Sequence, residues 1–296
     1  MTQASALASA MSGRQVILCA DDFGMSAGVS RGILELAERN RISATSAMVT
    51  FDPWPQDARR LAGVRSNVGI GLHINLTLGK PLGPMPSLAP DGEFPTLSAL
   101  IGRALAGRLD AGEISLEVTR QLSRFEAETG FAPDHVDGHQ HVHALPGVRQ
   151  AVLAALATRF PSGGPLLRDP TDWSSAMRTG GSAGAKAVLI SALSAGFGAA
   201  ARAKGFATNS SFAGVSSFDR RRSYAAELDA ALRLGGRHHL VMCHPGYPDA
   251  ASSPADPIAP RREDELAAIM QAHELATLLW RPSRAADGAP IAWTPD

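Results

Sequence analysis

The chain has 296 residues, 45% hydrophobic and 19% charged, an ordinary globular composition with length enough for a large buried core in one or two domains. Lys+Arg and Asp+Glu number 28 each, so no overall charge draws the protein toward nucleic acid or anionic lipid, although a balanced total still permits a local basic patch. No run approaches the roughly 18 apolar residues of a membrane span, and two cysteines are too few for a disulfide-built scaffold.

From the N-terminus, residues 1–14 are rich in Ala and Ser but lack a positive region followed by an apolar stretch. They read as a flexible tail rather than a signal peptide. Residues 16–20 form a strand pattern, followed by a helical stretch at 29–40 with Ile33, Leu34, Leu36 and Ala37 on one face. Residues 44–51 and 68–76 read as strands, with a short helix at 56–62 between them. The 114–129 stretch sets Leu116, Val118, Leu122 and Phe125 at a helical period and stops at Gly130 and Pro133. A strand at 135–138 leads toward a helix opened by Pro146, where a missing N–H does little harm. Strand patterns recur at 165–168, 206–208, 239–243 and 290–293, and helical ones at 185–204, 224–234 and 262–279.

This alternation predicts parallel strands joined by crossover helices. Seven or eight such units close into an irregular (β/α) barrel, an α/β fold occupying 15–296 as a single domain. Cys19 and Cys243 fall in strands and fit the reduced, buried thiols of a cytoplasmic protein. Two Pro- and Gly-rich stretches, 79–95 and 169–184, break the rhythm and are candidate walls or lids of a substrate cleft.

Four polar clusters lie on or just after these strands, and in parallel α/β folds the strands' C-terminal ends gather the active site. The first is Asp21-Asp22. Adjacent carboxylates repel, and a cation relieves the repulsion by taking one as ligand and leaving the other as a base. Taken alone, the pair also suits a turn and helix N-cap. The second is His73, a lone polar residue on the apolar strand, with Asn75 two positions on and placed to hold a substrate oxygen.

The third cluster, His135-Val136-Asp137-Gly138-His139-Gln140-His141-Val142-His143, packs four of the nine histidines into nine residues. If the segment is extended, positions 139, 141 and 143 share a face. Neutral imidazoles are common metal ligands, and Asp137 is placed to orient one of them. Not all four can serve one ion that keeps positions open for water and substrate. The fourth is His244-Pro245-Gly246, ending a strand in a turn and supplying a candidate general acid.

One metal ion links these parts: it polarises an acyl carbonyl and lowers the pKa of a bound water. A carboxylate then takes the water's proton and a histidine protonates the leaving nitrogen. The ligand types admit Zn, Mn, Fe, Co or Mg.

Together, Ala20-Asp21-Asp22-Phe23-Gly24, Gly71-Leu72-His73-Ile74-Asn75-Leu76-Thr77, the 135–143 segment and Val241-Met242-Cys243-His244-Pro245-Gly246 resemble the motifs of the YdjC-type carbohydrate deacetylases, in family order over 16–248. That family includes bacterial chitooligosaccharide deacetylases and hopanoid-biosynthesis deacetylases. The resemblance implies a distorted (β/α) barrel related to polysaccharide deacetylases, one divalent metal (Mg or Zn), and an N-acetylated sugar or glycolipid substrate. It assigns Asp22, His73 and His139 to the metal, Asp21 to the general base and His244 to the general acid. Asp137, His141 and His143 then line the pocket or support the ligands. Asn75, Gly138 and Gln140 stand where family members vary, which leaves the substrate subclass and any role of Asn75 open; homodimer formation is open as well. Two other readings are a phosphoesterase or amidohydrolase on a barrel, with His141 and His143 serving a second ion, and a carbohydrate-binding relative without turnover.

Overall fold

Strand β1 (Val16–Phe23) opens with the apolar run Val16 to Ala20 and has every residue buried, the pattern of an inner strand of a parallel sheet covered on both faces. In this computed structural model, which describes residues 15–171, 181–233, 238–249, 256, 258–283 and 291, six further strands join it. They are β2 (Ala44–Ala47), β3 (Gly69–Ile74), β4 (His135–Gly138), β5 (Leu166–Leu167), β6 (Ser211–Ala213) and β7 (His239–Cys243). All pair in parallel, in the order β5-β4-β3-β2-β1-β7-β6.

The helices are α1 (Ala27–Glu38), α2 (Trp54–Gly63), α3 (Leu97–Leu105), α4 (Ala111–Thr129), α5 (Val148–Arg159), α6 (Gly181–Ser194), α7 (Phe197–Ala203), α8 (Tyr224–Arg233), α9 (Ala259–Gln271) and α10 (Leu275–Leu278). Ser26 caps α1 by accepting the Val29 N–H, and Asp110 caps α4 by accepting the Glu113 N–H. Helix α4 ends where Gly130 turns left-handed at φ 81°.

Several expectations need correction. Residues 206–208 form no strand. Thr208 makes a single parallel bridge to Leu167, whose N–H donates to Ala207 O at 2.9 Å. The Asn209 amide then takes over the pairing, accepting from Asp169 N and donating to the Asp169 and Ser211 carbonyls. The strand forms afterwards, as β6. That bridge brings the β5 edge to the chain entering β6, so the curled sheet is a distorted barrel.

The expected helix at 185–204 is two helices, parted at Gly196 with φ 83°. The one at 262–279 likewise breaks at Ala272, whose ψ of 90° is extended. Helix α3 was not foreseen. Ser182–Ala203 is long and apolar enough by composition to cross a membrane, which the sequence expectation missed because Lys186 and several Ser and Gly residues dilute the run. The 1–14 tail, residues 172–180 and all of the 290–293 strand except Ile291 lie outside the described residues.

The 79–95 stretch is tied down. Glu117 accepts the Leu82 N–H, Glu113 accepts the Ser87 N–H, and Arg103 donates to the Ser87 and Leu88 carbonyls. Met85, Leu88 and Ala89 are buried in the main core beneath it.

Candidate metal and catalytic site

Adjacent residues of a regular strand face opposite sides. Asp21 and Asp22 escape this because β1 bulges: Ala20 pairs with Thr45, but Phe23 pairs with Ala47, so one residue is extra on β1. Asp22 sits at the bulge with φ 70°, and both carboxylates line the same cleft. Gly24 follows with φ 84°, and a Cβ there would meet Met48 O at 2.8 Å. Asp22, Gln140, His141 and Phe218 are four of the five non-glycine residues with positive φ among the described residues, and all four line this cleft. Backbone strain of this kind collects at functional sites.

At the rim of the cleft, Asp22 Oδ1 lies 2.9 Å from His139 Nδ1 and 3.2 Å from His73 Nε2. One ligand atom from each of the three residues falls within 4.8 Å of the others, close enough to share an ion. Burial alone raises the Asp22 pKa, but Arg262, His139 and His73 overcome it and hold the carboxyl well below its usual range. Arg262, on α9, donates to Asp22 Oδ2 at 2.7 Å and is itself held by Asp256 at 2.5 Å. Burial likewise lowers His73, yet the Asp137 carboxylate on Nδ1 at 2.6 Å, with Asp22 on the other nitrogen, pushes it up to about 10.

Beneath the rim lies a second ionic layer. Arg168, fully buried just past β5, donates from two nitrogens to the two oxygens of Asp21, both at 2.6 Å, and pairs with Asp137 as well. Ser46 adds a hydrogen bond to Asp21 at 3.2 Å. The bidentate fork fixes the plane of the Asp21 carboxylate. Asp137 is held far below its ordinary value: burial opposes this, but Arg168 and His73 outweigh it.

The 139–144 segment is not extended. It forms a 3₁₀ turn in which Gln140 and His141 adopt φ of 54° and 61°, so positions 139, 141 and 143 do not share a face by strand alternation. His139 and His141 line the cleft. His143 turns inward, its Nε2 2.8 Å from Arg168 O and its ring edge-on to Phe197, and burial lowers it to about 4. His141 packs edge-on against Phe212, and its Nδ1 has no hydrogen-bond partner among the described residues. Burial first, then the nearby Arg168 charge, hold it neutral.

Asn75 is fully buried, and its amide is spent on the following turn. It donates to Thr50 Oγ1 and Leu78 O and accepts from the Thr77 and Leu78 N–H groups. Asp137 sits behind His73, away from the cleft lining.

His244 faces the rim from the end of β7. Its own N–H donates to Glu265 at 2.5 Å, and its ring meets Phe218 edge-on. The loop continues with Gly246 N–H donating to Arg262 O and Tyr247 N–H to Gly28 O, which clamps it between α9 and α1. Burial lowers the His244 imidazole to about 4 and raises the Glu265 carboxyl to about 7.

The cleft encloses about 610 Å³. Its outer walls are apolar: Leu97 and Ile101 of α3, and Leu189, Ile190 and Leu193 of α6. A second cavity of about 520 Å³ beside α8 holds none of the candidate residues. Sequence reasoning missed Arg168, Arg262 and Lys186. For Arg168 a signal was present: a charged residue directly follows a strand, as in the other clusters. Nothing comparable marks Arg262, which sits inside an amphipathic helix.

The family model of YdjC-like proteins matches residues 15–281. The chain belongs to the YdjC-like family. A carbohydrate deacetylase of Geobacillus stearothermophilus is 40% identical over 148 residues, 50% of this chain and 57% of that protein. A chitooligosaccharide deacetylase of Serratia marcescens is 42% identical over 140 residues, 47% of this chain and 54% of that one. The YdjC-like chain thus spans about half the length of the curated relatives it matches. A crystal structure from Enterococcus faecalis V583, described as a candidate cellobiose-phosphate cleavage protein, covers 91% of this chain and 97% of its own with a TM-score of 0.66. At 22% identity that likeness shows the shared fold.

Proposed function

We propose that this YdjC-like protein is a metal-dependent hydrolase that removes acetyl from an N-acetylated sugar, free or carried as a glycolipid head group. The observation that carries the reading is the convergence of Asp22, His73 and His139 beside Asp21 and His244 in one cleft. Curated relatives over half their length are named for carbohydrate and chitooligosaccharide deacetylation, which supports the same substrate class.

Asp22, His73 and His139 would hold one divalent ion, magnesium or zinc; two imidazoles and one carboxylate leave open positions for water and substrate. The ion supplies polarisation of the acetyl carbonyl and acidity to water. Asp21, oriented by Arg168, takes the proton of the attacking water. His244 gives a proton to the leaving nitrogen. Burial holds this imidazole near 4, so it is neutral at pH 7 and must first be protonated. It would take up a proton from solvent as negative charge builds on the substrate beside it, and Asp21 would return the water's proton to solvent once the amine has left. His141 offers a sugar hydroxyl its Nδ1, which has no partner among the described residues. His143 and Asp137 position Arg168 and His73 rather than touch substrate.

A two-ion phosphoesterase is disfavoured. Asp21, His73 and Asp137 also converge, but the Arg168 guanidinium already bridges the two carboxylates. We place the protein in the cytoplasm, with 15–296 as one domain.

The test is acetate release from N-acetylated chitooligosaccharides by purified protein supplied with magnesium, zinc, manganese or cobalt. Release is expected, and Asp21→Asn or His139→Ala abolishes it. No acetate from a panel of N-acetyl and O-acetyl sugars with any of these metals overturns the reading.

A further inference from the structure

The large hydrophobic residues left exposed among the described residues are Leu105 (68%), Leu116, Val188 (41%) and Leu189 (56%), and three of the four lie on α3 and α6. These are the helices whose inner faces wall the cleft. On α3 the stripe Leu97, Ile101, Leu105 advances four residues at a time, from the cleft lining out to solvent. On α6, Leu189 both lines the cleft and faces solvent, and Val188 stands beside it. Apolar side chains of both helices therefore stand inside the cleft and outside it in solvent. Exposed apolar patches of this kind mark interaction sites.

The charges on these segments are one-sided. Residues 97–109 and 181–204 contain Arg103, Arg108, Lys186, Arg202 and Lys204 and no Asp or Glu, in a chain whose totals balance at 28 each. Arg103 is held by the Ser87 and Leu88 carbonyls and Arg202 by Thr208 Oγ1, whereas Arg108, Lys186 and Lys204 form no ion pair among the described residues. Lys186 lies over the Phe218 ring, 4.1 Å from its centroid, at the cleft mouth. Long basic side chains around an apolar helix face match a bilayer interface, where the stem lies among lipid and the charge meets anionic headgroups.

We propose that α3 and α6 dock on an anionic lipid surface, with the cleft mouth facing the bilayer. The protein then lies on a membrane rather than spanning it, since Gly196 breaks the apolar stretch into two short helices. A sugar borne on a lipid headgroup would enter the cleft directly from that surface. The docking goes beyond the deacetylase reading and stands or falls without it.

The test is co-sedimentation of the full chain with vesicles of phosphatidylcholine, with and without phosphatidylglycerol. Binding to the mixed vesicles is expected, weaker to phosphatidylcholine alone, and reduced by salt. The double variant Leu105→Gln with Val188→Gln touches no cleft-lining residue and is expected to lower vesicle binding at least about tenfold, and Arg108→Glu to weaken the preference for anionic lipid. Metal binding and thermal melting of both variants should match the wild type, which separates a folding fault from lost docking without reference to turnover. Absence of wild-type binding to mixed vesicles overturns the proposal, as does equal binding by the double variant. A stable homodimer that the double variant dissolves also overturns it, since the face would then belong to a second copy.

Discussion

Asp21 and Asp22 are one peptide bond apart and each pairs with a buried arginine, but their remaining partners differ. The floor of the cleft joins Asp21 and Asp137 through the guanidinium of Arg168, a charge that no accessible pH removes. At the rim Arg262 holds Asp22 Oδ2, while Asp22 Oδ1 faces His139 and His73, and the positive charge of His73 is a removable proton. A guanidinium does not exchange for a metal ion, whereas an imidazolium proton does. The floor is therefore complete as a fixed ion pair that aims a base. The rim is built for an exchangeable cation.

The largest expected effect comes from dismantling the floor. Arg168→Met leaves two buried carboxylates without their partner, and losing one side of a buried ion pair costs about 3–5 kcal/mol. Urea or thermal melting reads this loss directly. A variant as stable as the wild type would break the contrast between the layers.

At the rim the expected loss is in metal binding rather than in folding. His139→Ala, at a partly exposed ring, should leave the melt nearly unchanged. Its metal affinity should fall by more than the roughly 10–100-fold typical of losing an outer-shell partner. Calorimetric titration with zinc or manganese measures it.

The pH dependence sharpens the same contrast. His73 binds a metal through Nε2 only after giving up a proton that the metal-free protein holds to about 10. Raising the pH from 7 to 8 should therefore strengthen apparent metal affinity about tenfold, with about one proton released per ion. In the metal-free protein the raised pKa contributes stability that is fully present below the ordinary 6.5 and is lost as the pH rises through about 10. Metal affinity that is flat between pH 7 and 8 would place the ion elsewhere.

The smallest effect lies behind His244. Glu265 has an ordinary value of 4.5 and is raised by burial to about 7, so the folded state holds an extra proton between those values. Stability should fall as pH rises across that window, by at most about 3 kcal/mol, and Glu265→Gln should flatten the fall. Melting curves at pH 5 and 8 check the sign.

What the sequence made legible follows from distance along the chain. Strands β1, β3 and β7 announce themselves by apolar runs with a polar residue at or near the C-terminal end, and β4 by the four histidines in and after it, so Asp22, His73, His244 and His139 were readable. The bulge was not, because nothing in Cys19-Ala20-Asp21-Asp22-Phe23 shows that β1 carries one residue more than β2. The 3₁₀ turn was hidden for a related reason: Gln140 and His141 take left-handed angles that their side chains do not favour, and only tertiary packing holds them there. Arg168 and Arg262 reach the site from 147 and 240 residues away, and a pairing at that range leaves no periodic trace. Asn75 sat in the expected place, but its amide is committed to the turn that starts the 79–95 excursion.

The account turns on a single cation at the rim. Crystals grown with manganese and measured for anomalous scattering test it most directly. One strong peak is expected, about 2.0–2.2 Å from Asp22 Oδ1, His73 Nε2 and His139 Nδ1, with Asp21 still forked to Arg168. A peak coordinated by Asp21, a second peak of equal strength, or an Arg168 displaced from its two carboxylates would contradict it.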